Sequence, residues 1–274
     1  MSDKTPEPSL PAWARLPINR CNLPAVILGG LSFQRHPSTL QLDGVRELHL
    51  GLFEWLDALE DRAARAHAFA AALEAHFCLG RLEEAGLERG KGRRAKANWL
   101  RVLRGWHFDA DSREGAVLKG WVESRFGLVP RFHGEPLRDF NGHAWRRYEA
   151  MRAAGLSGTN ALESQLDLLY TYCQYEYARA GLQEGQVVLY RGVNRLDGHE
   201  VLSARGKEQV VLLNNINSFT TSRERAGEFG DYILSASIPS AKVFFHAELL
   251  PGVLRGEGEH LVIGGVYAVR IETL

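Results

Sequence analysis

Apolar positions along the chain follow two different periods. From Leu52 to Phe77, Leu52, Leu56, Leu59, Ala63, Ala66, Ala70, Leu73 and Phe77 recur at steps of four and three, which is the spacing of one helical face. Phe53 and Phe69 lie beside that stripe. The same period predicts helices over 95–105, 113–126, 139–154 and 160–180. In the last, Leu162, Leu166, Leu169, Cys173 and Tyr177 share a stripe, Thr159 or Asn160 can cap its start, and Gly181 can end it.

Near residue 183 the period changes. Short runs rich in β-branched and aromatic residues predict strands at 187–193, 210–215, 216–221, 232–238, 242–246, 260–265 and 266–271. Helices first and strands afterwards argue for an α+β chain, mainly helical over 1–182 and β-rich over 183–274. No repeat or clear linker divides it, so one domain of 1–274 is expected.

Charge removes some function classes. Lys+Arg and Asp+Glu each number 33, so the net charge is zero and non-specific nucleic-acid binding has no electrostatic basis. The three cysteines, Cys21, Cys78 and Cys173, form no CxxC, which favours reduced thiols over disulfides or a zinc site. The first residues lack an apolar secretory core, and no apolar run is long enough to span a bilayer, so a cytoplasmic protein without a membrane span is expected.

Three polar elements interrupt the β-rich part in order. Tyr190-Arg191-Gly192 places an arginine within a strand-like run. Alone this reads first as an edge arginine paired with a carboxylate; the functional reading is a guanidinium fork for phosphate or ribose, with Gly192 admitting a ligand to the backbone. Ser218-Phe219-Thr220-Thr221-Ser222 reads as a strand with a polar face, Ser222 then capping a short helix. Arg255-Gly256-Glu257-Gly258-Glu259-His260-Leu261-Val262 sets two glutamates at i and i+2 before an apolar strand, on one side if extended; by itself it could be a solvated acidic turn.

In combination, an arginine strand, a Ser/Thr-rich strand and an ExE before a hydrophobic strand resemble the signature of arginine-specific mono-ADP-ribosyltransferases of the R-S-E type. The length of the chain, the 214–222 run and the 252–265 run further resemble the dinitrogenase reductase ADP-ribosyltransferase branch of nitrogen-fixing bacteria. That resemblance implies a C-terminal two-sheet core with an NAD cleft, the helical N-terminal part packed on it, and NAD as substrate. It also implies the nitrogenase iron protein as target and a PII-type signalling protein as regulator. Glu259 would accept a hydrogen bond from the ribose and stabilise an oxocarbenium-like transition state. Thr221 would orient Glu259, although Thr220, Ser222 and Ser218 are alternatives. Arg191 would clamp phosphate and ribose, Gly192 would meet the nicotinamide amide, Thr221 and Ser222 would line the NAD site, and Phe229 would stack on the nicotinamide ring. Glu257 would hold the acceptor arginine through a bidentate pair. An NAD glycohydrolase, with water as acceptor, is the competing reading.

Other signals are bland. Gly86–Lys91 is one residue short of a phosphate loop. His107, Asp109 and Asp111 suit a solvated turn better than a metal site, and no metal is expected. Trp99, Trp106, Trp121 and Trp145 read as core or interface. Arg89 to Arg104 holds seven Lys/Arg and no acid, either a solvated face or a docking surface for an acidic partner.

Overall fold

A computed structural model describes residues 7–80, 98–157, 159–194, 200–250, 252–253 and 258–273. The chain begins with short helices α1 (Ala25–Leu28), α2 (Leu31–Arg35) and α3 (Val45–Leu48), then α4 (Leu50–Asp57) and α5 (Arg62–His76). The stripe from Leu52 to Phe77 is therefore two helices. The break comes at Asp61, whose carboxylate accepts the Ala64 N–H at 2.7 Å and starts α5 afresh. Phe53 and Phe69 are fully buried.

Next come α6 (Trp99–Phe108) and α7 (Arg113–Phe126). Asn98 caps the first through the Arg101 N–H and Ser112 caps the second through the Gly115 N–H. A two-stranded hairpin, β1 (Phe132–His133) and β2 (Glu135–Pro136), leads to α8 (His143–Leu156) and α9 (Leu162–Arg179). The cap position of α9 is Ala161, in a left-handed conformation, rather than Thr159 or Asn160. The Thr159 hydroxyl instead donates to Leu156 O and the Asn160 amide to Phe77 O, so both side chains fasten neighbouring helix ends. Gly181, at φ 70°, follows α9 as expected.

The β-rich part holds β3 (Gln186–Val193), β4 (Glu200–Arg205), β5 (Glu208–Thr220), β6 (Tyr232–Pro239), β7 (Val243–His246) and β8 (Glu259–Thr273), with α10 (Arg223–Gly227) between β5 and β6. All pairings are antiparallel. They run β5 to β3, β3 to β6, β6 to β8 and β8 back to β5, a closed ring of four strands with β4 and β7 attached outside. The expected two small sheets are thus one connected six-stranded sheet. The connection is made by β5 and β8, each of which merges two strands read separately from the sequence.

Both long strands are irregular at the same place. The β5–β8 register shifts between Leu213 and Ile216, where Asn214 and Asn215 leave the ladder. The Asn215 amide donates to Lys119 O at 2.7 Å and Leu128 O at 3.1 Å, tying the bulge to α7 and the segment after it. Opposite, Gly265 takes φ 123°, a conformation closed to side chains.

Helices and sheet share one apolar core. Trp121 of α7 meets Phe244 of β7 at 4.8 Å between ring centres, and Phe126 meets Tyr170 of α9 at 5.3 Å. Two buried ion pairs lock helix to helix: Arg65 with Glu176 at 2.7 Å, and Arg125 with Asp167 at 2.7 Å. Each is doubly hydrogen-bonded, the geometry that offsets the cost of burying charge. All three cysteines are unpaired. Among the described residues no helix is long and apolar enough to cross a membrane.

Candidate active site

A cavity of about 1150 Å³ opens where α6, α7 and the β1–β2 hairpin face β3, β5, β8 and α10. Strand alternation decides which side chains reach it. Thr220 lies directly across from Glu259 in the β5–β8 ladder and Ser218 across from Leu261. Ser218, Thr220 and Glu259 therefore share a face and line the cavity.

The hydroxyl on Glu259 belongs to Ser218. Its Oγ donates to Glu259 Oε1 at 2.7 Å. This corrects the expectation of Thr221, which lies one residue past the end of β5 and is exposed. The physical reason is parity. Ser218 shares the parity of Thr220, the cross-strand partner of Glu259, while 221 has left the strand. Ser222 is the cap of α10, its hydroxyl accepting the Arg225 N–H at 3.2 Å, as the helix-capping reading anticipates.

Arg191 enters from β3. Its Nη1 donates to Ser218 O at 2.7 Å, and among the described residues it makes no salt bridge. The edge-arginine reading with a carboxylate partner is therefore not what is found. Its Nε is buried without a partner. Burial pulls the guanidinium below an ordinary arginine value, and the charge of Glu259 opposes that shift. A cation with an unspent donor in a cleft is suited to an anionic ligand.

Gly192 lies next to Arg191 at the cavity wall. A Cβ there would sit 1.9 Å from the carbonyl oxygen of Ala226, so the glycine first of all allows α10 to pack on β3. Phe229, just after α10, is exposed at the mouth of the cavity. Glu257 lies outside the described residues, as do positions 89–97 of the basic stretch; within the remainder, Arg101 pairs with Glu114 at 3.1 Å.

Two residues of α6 complete the wall, and neither was assigned to the site from the sequence. The Trp106 Nε1–H donates to Ser218 Oγ at 2.9 Å. His107 Nδ1 lies 2.9 Å from Glu259 Oε2. The sequence suggests a solvated turn at His107; helix α6 instead extends to Phe108 and carries it to the carboxylate. Trp106 reads from the sequence as core or interface, and its ring is buried. No local signal ties it to a strand 112 residues later.

Behind them, Lys119 of α7 is almost wholly buried. Its ammonium donates to Asp111 Oδ1 at 2.8 Å and sits 3.1 Å from His133 Nδ1. Burial lowers the Lys119 pKa, and Asp111 pulls it back up. Burial, then the Lys119 charge, lowers His133 to about 4, so this imidazole is neutral and accepts from the ammonium. Among the described residues no group of three or more His, Cys, Asp or Glu side chains could hold a metal ion.

Arg191, Ser218 and Glu259, from three strands, thus border one cleft. The chain belongs to the dinitrogenase reductase ADP-ribosyltransferase family, whose model matches residues 18–271. It is 41% identical over 262 residues to the NAD(+)–dinitrogen-reductase ADP-D-ribosyltransferase of Rhodospirillum rubrum, across 93% of this chain and 95% of that one. No solved structure matches it.

Proposed function

We propose that this protein transfers ADP-ribose from NAD to an arginine of dinitrogenase reductase, the nitrogenase iron protein, and thereby regulates nitrogen fixation. Family membership supports the reaction and the target. The observation that carries the site assignment is the carboxylate of Glu259, held by Ser218 at 2.7 Å in the cleft where Arg191 keeps a free donor.

Breaking the nicotinamide–ribose bond builds positive charge on the ribose. Glu259 faces that charge and accepts a hydrogen bond from a ribose hydroxyl; Ser218 holds the carboxylate in position. Arg191 binds the phosphates with the donors that Ser218 O does not take. Gly192 and Phe229 flank the nicotinamide, the phenyl ring stacking on it. Glu257 receives the acceptor guanidinium, whose planar fork matches a carboxylate. A PII-type protein switching the enzyme in the cytoplasm belongs to the same proposal.

The test is incubation with NAD labelled on the adenylate and purified iron protein. Wild-type enzyme should place label on an arginine of the iron protein. Glu259→Gln should abolish transfer and NAD hydrolysis while NAD binding persists, because a charge acting on the transition state governs rate more than affinity. A variant that keeps a tenth of the wild-type rate, roughly 1.4 kcal/mol of barrier, would overturn the assignment of Glu259. Label recovered only as free ADP-ribose would favour the glycohydrolase.

A further inference from the structure

We propose that Trp106 is a positioning residue for the reaction, setting the direction of the Ser218–Glu259 hydrogen bond. The inference rests on the reading of Glu259 as the carboxylate that acts on the ribose.

An indole N–H can only donate, whereas a serine hydroxyl can donate one proton and accept others. Trp106 Nε1–H points at Ser218 Oγ from 2.9 Å, so Oγ is the acceptor there. Its own proton is then left for Glu259 Oε1, 2.7 Å away. The order of donors is Trp106 to Ser218 to Glu259, and no member can reverse it. Without the indole N–H the hydroxyl could turn about its C–O bond, and the carboxylate would lose its fixed donor for part of the time.

Trp106 is well mounted for this task. Its ring is buried on the α6 stripe that includes Trp99, Val102 and Leu103. The N–H is therefore carried by a packed helix rather than by a loop. The next residue of the same helix secures the other oxygen: an ionised carboxylate only accepts, so the 2.9 Å contact with Glu259 Oε2 places a proton on His107 Nδ1. One helix turn thus holds both ends of the carboxylate, through Ser218 on one side and directly on the other. The reaction then depends on a helix that lies outside the β-rich core and some 150 residues before the glutamate, since His107 and Glu259 are 152 positions apart.

A double-mutant cycle tests this. NAD hydrolysis and NAD affinity would be measured for wild type, Trp106→Phe, Ser218→Ala and the double variant, with thermal unfolding as the folding control. Trp106→Phe should lower kcat about tenfold, the loss of one hydrogen bond in a charged relay, with KM for NAD within about twofold. In the Ser218→Ala background the same change should alter kcat less than about twofold, because the route it acts through is gone. Benzothienylalanine at position 106, with the shape of tryptophan and sulfur in place of N–H, should reproduce the Phe result if phenylalanine packs poorly. Equal losses in both backgrounds, or an unchanged kcat in well-folded Trp106→Phe, would overturn the proposal. Glu259→Gln in the same series separates the two readings. If it stays active, the assignment of the carboxylate falls; if it is inactive and the cycle is additive, only the role of Trp106 falls.

Discussion

Removing the Ser218 hydroxyl is the sharpest perturbation of the site. Ser218→Ala deletes the 2.7 Å bond to Glu259 and also leaves the Trp106 N–H without its acceptor. A hydrogen bond to a charged group contributes about 1.5–3 kcal/mol. If that aim is needed in the transition state, kcat for NAD cleavage should fall roughly 10- to 150-fold, at about 1.4 kcal/mol per tenfold. The orphaned indole N–H adds a stability cost of about 1–3 kcal/mol, which lowers Tm without contributing to a loss measured well below it. Thr221→Ala is the matched control: the residue is exposed beyond the end of β5, so kcat should stay within about twofold and stability within about 0.5 kcal/mol. The assay is release of nicotinamide at saturating NAD, read beside a denaturation curve for each variant. If Ser218→Ala keeps kcat within about threefold, or Thr221→Ala loses more than Ser218→Ala, the geometric argument for Ser218 is refuted.

Two further outcomes concern the frame around the site. Gly192→Ala forces a Cβ to 1.9 Å from the backbone oxygen of Ala226, so α10 must move; thermal unfolding should show about 1–3 kcal/mol of destabilisation, and an unchanged Tm would contradict the close packing. His246 stacks on His260 at 5.3 Å, and burial followed by the neighbouring His260 charge lowers its pKa to about 3. The unfolded chain takes up a proton near the ordinary 6.5 before the folded one does, so this contribution is complete above about pH 6.5 and is lost as pH falls toward 3. Urea midpoints between pH 7 and 4 should therefore drop less in His246→Phe than in wild type; parallel slopes would show that His246 is not the group responsible.

Much of the architecture was written in local patterns. Helix α7 occupies the predicted 113–126, where the apolar period and the Ser112 cap agree, and α9, β6 and β7 lie within a residue or two of their predicted bounds on residue pattern alone. Strand β4 was not read at all: Glu200–Arg205 lacks an apolar run, and its pairing with β5 supplies what propensity does not. The break at Asp61 was missed because apolar spacing runs across it, and only the side-chain cap reveals it. Within the site, Arg191 and Glu259 were legible as polar residues at odds with their strands. The choice between Ser218 and Thr221 was not legible, since Asn217 and Phe219 also border the cavity and only the long-range pairing of Thr220 with Glu259 sets which hydroxyl faces the carboxylate. Trp106 and His107 were not legible, because long-range pairing alone gives them a role.

The ring of β5, β3, β6 and β8 has a consequence for how such a site could be governed. Arg191, Ser218 and Glu259 stand on β3, β5 and β8, all members of the ring, while the free margins of the sheet are β4 and β7. Strand β4 pairs with β5 only as far as Leu212, so a protein that adds to that margin or pries it loose acts far from Ser218; at the other margin, β7 pairs up to His260 and the Ala247 N–H donates to Glu259 O at 2.9 Å. The strand wall of the cleft is thus deaf to its β4 edge but not to its β7 edge. The opposite wall consists of helices and a two-stranded hairpin that meet it through side chains, among them the paired residues at the end of α6. A controlling partner that must quiet or wake the chemistry without unfolding it has leverage on that wall, where a small shift of one helix is felt at the carboxylate.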